Sequence, residues 1–94
     1  MSYRVLVDDN FHYMDEAERY ELGAFASLDA AVAAAQAVVD AYLRSAYKPG
    51  MSARALFQSY TAFGEDPFII ASDQQRVVFS AWEYARQRCN ALCH

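Results

Sequence analysis

Ninety-four residues, 55% of them apolar and 21% charged, with only three glycines and two prolines, suit one folded domain over residues 1–94 and exclude disordered, collagen-like and low-complexity classes. Twelve acidic residues against eight basic ones give a net charge of −4, and the basic residues are dispersed from Arg4 to Arg88. No nucleic-acid partner is expected, because counterion release from a phosphate backbone needs clustered cations.

The most apolar stretch, Ala30 to Val39, falls short of the ~20 residues that span a bilayer, so no membrane partner is expected. Acid arrives at Asp8 before the apolar core of a signal sequence could develop, which predicts a cytoplasmic protein.

Tyr3, Val5 and Val7 alternate with Arg4 and Leu6 at the period of a strand. A second run, Arg19 to Phe25, puts Tyr20, Leu22 and Ala24 on one side and Glu21 and Phe25 on the other, and the two runs predict an antiparallel pair. Their connection, about Asp9 to Glu18, is too long for a tight turn and is strongly polar apart from Phe11, Tyr13 and Met14.

Ser27 stands as an N-cap before a helix in which Leu28, Ala31, Val32, Ala35, Val38, Val39, Tyr42, Leu43 and Ala46 form an apolar stripe. Asp29 suits the positive end of the helix dipole, Asp40 and Arg44 are spaced to pair, and Lys48-Pro49-Gly50 ends the element. The many alanines predict close packing against a sheet or another helix.

Ser52 opens a shorter helix through Leu56, Phe57, Tyr60 and Phe63, and Gly64 occupies the position of a left-handed C-cap. After the GEDP break, in which Asp66-Pro67 reads as a turn and strand start, FIIAS and RVVF predict a second hairpin. Ser80 and Glu83 form a capping box ahead of a third helix, beside which Trp82 reads as a core anchor rather than a ligand platform. The expected fold is therefore α+β in the order ββααββα, with an antiparallel or mixed four-stranded sheet and its helices mainly on one face.

Between Val7 and Gly23, Asp8, Asp9, Asp15, Glu16, Glu18 and Glu21 surround His12. The donor types suit a hard or borderline cation, yet the spacing lacks the alternating ligands, central glycine and terminal glutamate of a calcium loop. Asp8 and Asp9 read instead as turn formers at a strand end, and the acidic residues beyond them as a solvated rim. Cys89, Cys93 and His94 sit at a helix C-terminus, where the dipole disfavours a thiolate, and their spacing fits neither a dithiol oxidoreductase nor haem attachment. Packing by two reduced side chains is the better reading than zinc. No nucleophile elbow, phosphate loop or zinc-protease motif occurs, so nothing argues for an enzyme or a cofactor.

YRVLVDDNFHYMDE, AYKPGMSARALFQSYTAFGEDPFI and FSAWEYARQRC resemble stretches of a family of small uncharacterised bacterial proteins. The resemblance covers most of the chain and implies a bacterial, single-domain, stand-alone protein. It transfers no activity, substrate or catalytic residue.

Two functions are expected from different classes. A non-enzymatic protein-interaction or regulatory module, meeting an unknown protein partner or a second copy as a homodimer, is suggested by the 15% aromatic content, since contact cores are rich in aromatic side chains. The alternative is a small-molecule or metal-binding protein. Its site would lie near His12, Asp8, Asp9, Glu65 and Asp66, whereas the module would use aromatic residues of the hairpin loop or an open sheet face; Asp8, Asp9, Phe11, His12, Tyr13, Glu65 and Asp66 together form the candidate surface.

Overall fold

The computed structural model describes residues 2–10 and 19–93. Among these, β1 (Tyr3–Asp9), β2 (Tyr20–Phe25), α1 (Leu28–Ala46), α2 (Ala53–Phe63), β3 (Glu65–Ala71) and α3 (Ala81–Leu92) follow one another, and the strands form an antiparallel sheet in the order β2-β1-β3. The class is α+β, but the order is ββααβα and the described sheet has three strands, not the four expected from the sequence.

The missing strand is the RVVF segment. Ala71 N–H donates to Gln75 O and Val77 N–H to Ile69 O, both at 2.9 Å, so the chain does fold back on β3, through a turn in which Gln74 takes φ +71°. The return arm is reduced to one bridge between Ile70 and Arg76. It then leaves the sheet, because Phe79 packs against both buried clusters of the core while Val78 is fully solvent-exposed. The short β-branched and aromatic run was a real signal for direction. It could not reveal that Phe79 must reach the helices and deliver Ser80 to the start of α3.

The β1–β3 register matches Val5 with Ile69, Leu6 with Phe68 and Val7 with Pro67. Facing residues share a side of the sheet and alternate along each strand. Val5, Val7, Pro67 and Ile69 are all fully buried and make up the side on which α1 lies. Pro67 is tolerated because β3 is an edge strand.

On β2 the register slips between Val5 and Leu6, matching Gly23 to the first and Glu21 to the second and leaving Leu22 as the extra residue of a bulge. The bulge resets the alternation expected from the sequence. Tyr20, Gly23 and Phe25 now share the side of Val7, Val5 and Tyr3, while Glu21 and Ala24 share that of Leu6 and Arg4.

Helix α1 serves two packing environments in succession. Ala31 and Ala35 meet Val5 and Ile69 of the sheet, where the absence of bulk lets the helix approach closely. Val39 and Leu43, one and two turns further on, fill the space between α1, α2 and α3 with Leu56, Tyr60, Ala81, Ala85 and Cys89. Asp40 does not pair with Arg44 as its spacing suggested; it accepts hydrogen bonds from Tyr84 Oη at 2.9 and 3.1 Å and from Arg88 Nε at 3.2 Å, both on α3. Ser27, Ser52 and Ser80 each cap their helix by accepting a backbone N–H at 3.1–3.2 Å, from Ala30, Ala55 and Glu83 respectively. Glu83 completes no reciprocal capping bond and turns instead to Arg86 Nη2 at 2.6 Å.

Gly64 caps α2 with φ −78°, an extended and unstrained backbone rather than the left-handed one expected. Its lack of a side chain has a different cause. A Cβ here would lie 2.5 Å from the Tyr60 ring and 2.7 Å from the Tyr60 carbonyl oxygen, and Tyr60 is fully buried. Replacing Gly64→Ala should therefore destabilise the fold by about 1–3 kcal/mol, the range for overpacked sites. Urea unfolding monitored by circular dichroism checks this, and an unchanged midpoint would show that Tyr60 can retreat.

Candidate functional site

The acidic residues singled out from the sequence meet at one end of the sheet. Register pairs Asp8 with Asp66 and Asp9 with Glu65, so four carboxylates from two segments more than fifty positions apart become cross-strand neighbours. The strand starts at Glu65, two residues before the Pro67 at which a turn was expected. Asp66 adopts the extended conformation that the residue before a proline favours.

Strand alternation then divides the four. Asp9 and Glu65 fall on the side of Val7 and Val5, beside α1; Asp8 and Asp66 fall on the side of Leu6 and Phe68. Among the described residues no group of three His, Cys, Asp or Glu side chains could hold a metal ion. Phe11, His12 and Tyr13, the rest of the candidate surface, lie outside the described residues, as does His94 of the C-terminal trio. Of that trio, Cys89 is buried in the helical core, where loss of solvent, with a smaller push from Cys93, raises its thiol to about 11. It is a packing residue.

Each side of the strand end opens onto its own concavity. On the Asp66 side a cleft of about 560 Å³ lies between β3 and the start of α3, lined by Asn10, Thr61, Asp66, Arg76, Phe79, Ser80, Ala81 and Trp82. Its size falls in the range of small-molecule sites. Its back wall is fixed by Asn10, which is buried and fully engaged: its backbone N–H donates to Gly64 O at 2.9 Å, its Nδ2 to Tyr60 O at 2.9 Å, and its Oδ1 accepts Trp82 Nε1–H at 3.3 Å. Tyr60 Oη in turn donates to Glu65 O at 2.6 Å. Three elements are tied to the strand end by these bonds.

Trp82 is thus not the core anchor expected from the sequence. It stays 41% exposed, edge-on to Phe57, with its polar edge held by Asn10, and it lines the cleft. Phe68, on the side of the sheet away from α1, is nevertheless buried, because the guanidinium groups of Arg76 and Arg19 stack on its ring at 4.5 and 5.0 Å from the centroid. Arg19 also grips Asp8, donating from Nε at 2.6 Å and from Nη2 at 3.2 Å. Neither arginine stood out in the sequence, since nothing in the spacing shows that residues 19 and 76 flank one ring.

Asp8 is matched by Arg19, whereas Asp66 has no ion pair or hydrogen bond of that closeness among the described residues. Burial pushes its carboxyl above the ordinary range; Arg76 opposes the shift and Asp8 across the strand adds to it.

On the other side, a groove of about 730 Å³ runs between β2 and α1, edged by Tyr20, Leu22 and Phe25 and floored by Ala34, Ala37, Val38 and Ala41, with Tyr42, Ser45 and Glu65 completing its lining. Tyr20 Oη donates to Glu65 Oε2 at 2.6 Å, and burial together with this carboxylate raises the phenol to about 12. A scan of family models matches none to the chain, and a search of curated proteins finds no similar sequence. No helix among the described residues is long and apolar enough to cross a membrane.

The folded protein holds the Asp66 proton more tightly than the unfolded chain does, so folding takes up protons between the two pKa values, and stability falls as pH rises through that window. Replacing Asp66→Asn removes this dependence. The unfolding free energy of the variant relative to the parent should therefore increase from acid to neutral pH, measured by urea titration at each pH. A difference that shrinks with pH would place the ionised carboxylate in a stabilising environment.

Proposed function

We propose that the protein is a non-enzymatic interaction module that binds an extended segment of a partner protein along β2. The observation that carries this reading is an edge strand with a groove beside it. Among the described residues the outer side of β2 has no ladder partner, and the trough between β2 and α1 is floored by alanines. Exposed Tyr20 and Leu22 border it.

A segment adding to a sheet edge gains affinity from main-chain hydrogen bonds and specificity from alternate side chains that enter the adjoining groove. Small helix residues leave room for those side chains. The bulge at Leu22 interrupts the regular edge between Glu21 and Gly23, which limits indiscriminate edge association.

Charge selects the occupant. The groove contains the Glu65 carboxylate, with Asp9 facing Glu65 across the strands, and the whole chain carries −4. A segment with alternating apolar residues and a lysine or arginine near Glu65 fits better than a second, equally acidic copy.

Selection of a phage-displayed random peptide library on the immobilised full chain tests this. Enriched peptides should alternate apolar residues, include a basic one, and shift the amide resonances of β2. Replacing the exposed Ala37→Trp fills the groove without touching the core and should weaken them by about tenfold or more, the loss of one buried anchor. Failure to enrich any peptide, or equal binding to the Ala37→Trp variant, would contradict the proposal. So would a dimer seen by light scattering that this substitution dissolves, since the occupant would then be a second copy.

A further inference from the structure

We infer that the cleft between β3 and α3 is a binding site for a small zwitterion with an apolar body, of the size and chemistry of a free hydrophobic amino acid, held between Asp66 and Arg76. This site is separate from the β2 groove: the two lie on opposite sides of the strand end, because Glu65 and Asp66 are consecutive in β3 and alternate.

Opposite charges stand in one cavity without closing on each other. Both residues line the cleft, yet the ion pairs within 4.0 Å among the described residues join Arg4 to Glu21, Arg19 to Asp8, Arg86 to Glu83 and Arg88 to Asp40, and none joins Arg76 to Asp66. Each is held where it is by something else. Pairing with Asp8 fixes the Asp66 backbone in the ladder, and the Arg76 guanidinium is stacked 4.5 Å from the centroid of the Phe68 ring. The carboxylate most able to compete for Arg76, that of Asp8, is already taken by Arg19.

Such a pair suits a molecule carrying both charges. A lone cation would be drawn to Asp66 and repelled by Arg76, a lone anion the reverse, whereas an ammonium on Asp66 and a carboxylate on Arg76 satisfy both with charge-assisted hydrogen bonds. Beside Thr61, Ser80 and Ala81, the half-exposed Trp82 indole and the Phe79 ring provide a surface for a hydrocarbon side chain. Because Asn10 already accepts the indole N–H, Trp82 offers its carbon surface rather than a donor.

Three probes with the same phenyl body separate the charge requirements: L-phenylalanine, phenethylamine, which lacks the carboxylate, and 3-phenylpropionate, which lacks the ammonium. Calorimetry and amide chemical-shift mapping on the full chain should show binding of L-phenylalanine with shifts at Asp66, Arg76 and Trp82 and none in β2. Each one-charge analogue should bind about tenfold or more weakly, the loss of one charge-assisted hydrogen bond. Replacing Asp66→Asn should bring L-phenylalanine down to the affinity of 3-phenylpropionate. Replacing Arg76→Gln should do the same with phenethylamine, while Arg76→Lys keeps the charge and retains part of the affinity even if the glutamine variant fails to fold. Equal affinity for phenethylamine or for 3-phenylpropionate would overturn the inference, as would no binding of L-phenylalanine, L-leucine or L-methionine at millimolar concentration. Shifts confined to the β2 groove would overturn it while leaving the groove itself available to a partner segment.

Discussion

The antiparallel ladder between β1 and β3 does not stop where the apolar residues stop; it carries on through Asp8–Asp66 and Asp9–Glu65, and the rest of the molecule is arranged around that extension. Like charges facing each other across a ladder oppose pairing. The structure offsets this by giving three of the neighbouring groups other company: Arg19 binds Asp8, Tyr20 donates to Glu65, and Arg76 lies near Asp66. Directly behind the acids, buried Pro67 and the Asn10 bonds to Gly64, Tyr60 and Trp82 hold the strand end against α2 and α3. Two concavities result, one on each side of the same dipeptide.

Helix α1 makes this geometry possible by changing its side-chain size along its length. Alanines face the sheet, where Ala31 and Ala35 meet Val5 and Ile69, and larger residues face the other helices, where Val39 and Leu43 meet Leu56 and Tyr60. Phe79 touches both clusters and so joins the sheet core to the helical core. The same demand on Phe79 draws the chain off β3 after a single bridge and exposes Val78. The fourth strand is thereby exchanged for a linked core and a correctly placed N-cap for α3.

The helices were legible in the sequence, because a serine cap followed by apolar residues at three- and four-residue intervals is a local signal and its physics is local. Ser27, Ser52 and Ser80 all cap as read. Register was less legible. The bulge at Leu22 moves Phe25 to the side of Tyr20 and Ala24 to that of Glu21, and nothing short of the pairing itself reveals it. Asp8, Asp9, Glu65 and Asp66 were grouped in the sequence only as part of a candidate surface; the β1–β3 register makes them neighbours, and their separation onto two sides follows from the period of a strand once β3 is known to begin at Glu65. Arg19, Arg76 and Asn10 were missed for a common reason: each acts across the chain, on Phe68, Tyr60 or Trp82, at a distance no spacing rule covers. Gly64 was noticed for the wrong property, since crowding by Tyr60, not a positive φ, excludes a side chain there.

The pairing of the acidic residues is the claim on which both concavities depend, and cross-strand nuclear Overhauser effects in the isotopically labelled protein test it most directly. Facing pairs in an antiparallel ladder alternate between close amide and close α-proton contacts. Asp8 with Asp66 and Asp9 with Glu65 should therefore give one contact of each kind. A close α–α or amide–amide contact of Asp8 with Glu65, or an α–α contact of Asp8 with Pro67, would reveal a slipped ladder, exchange the sides of Glu65 and Asp66 relative to Asp8 and Asp9, and contradict the account.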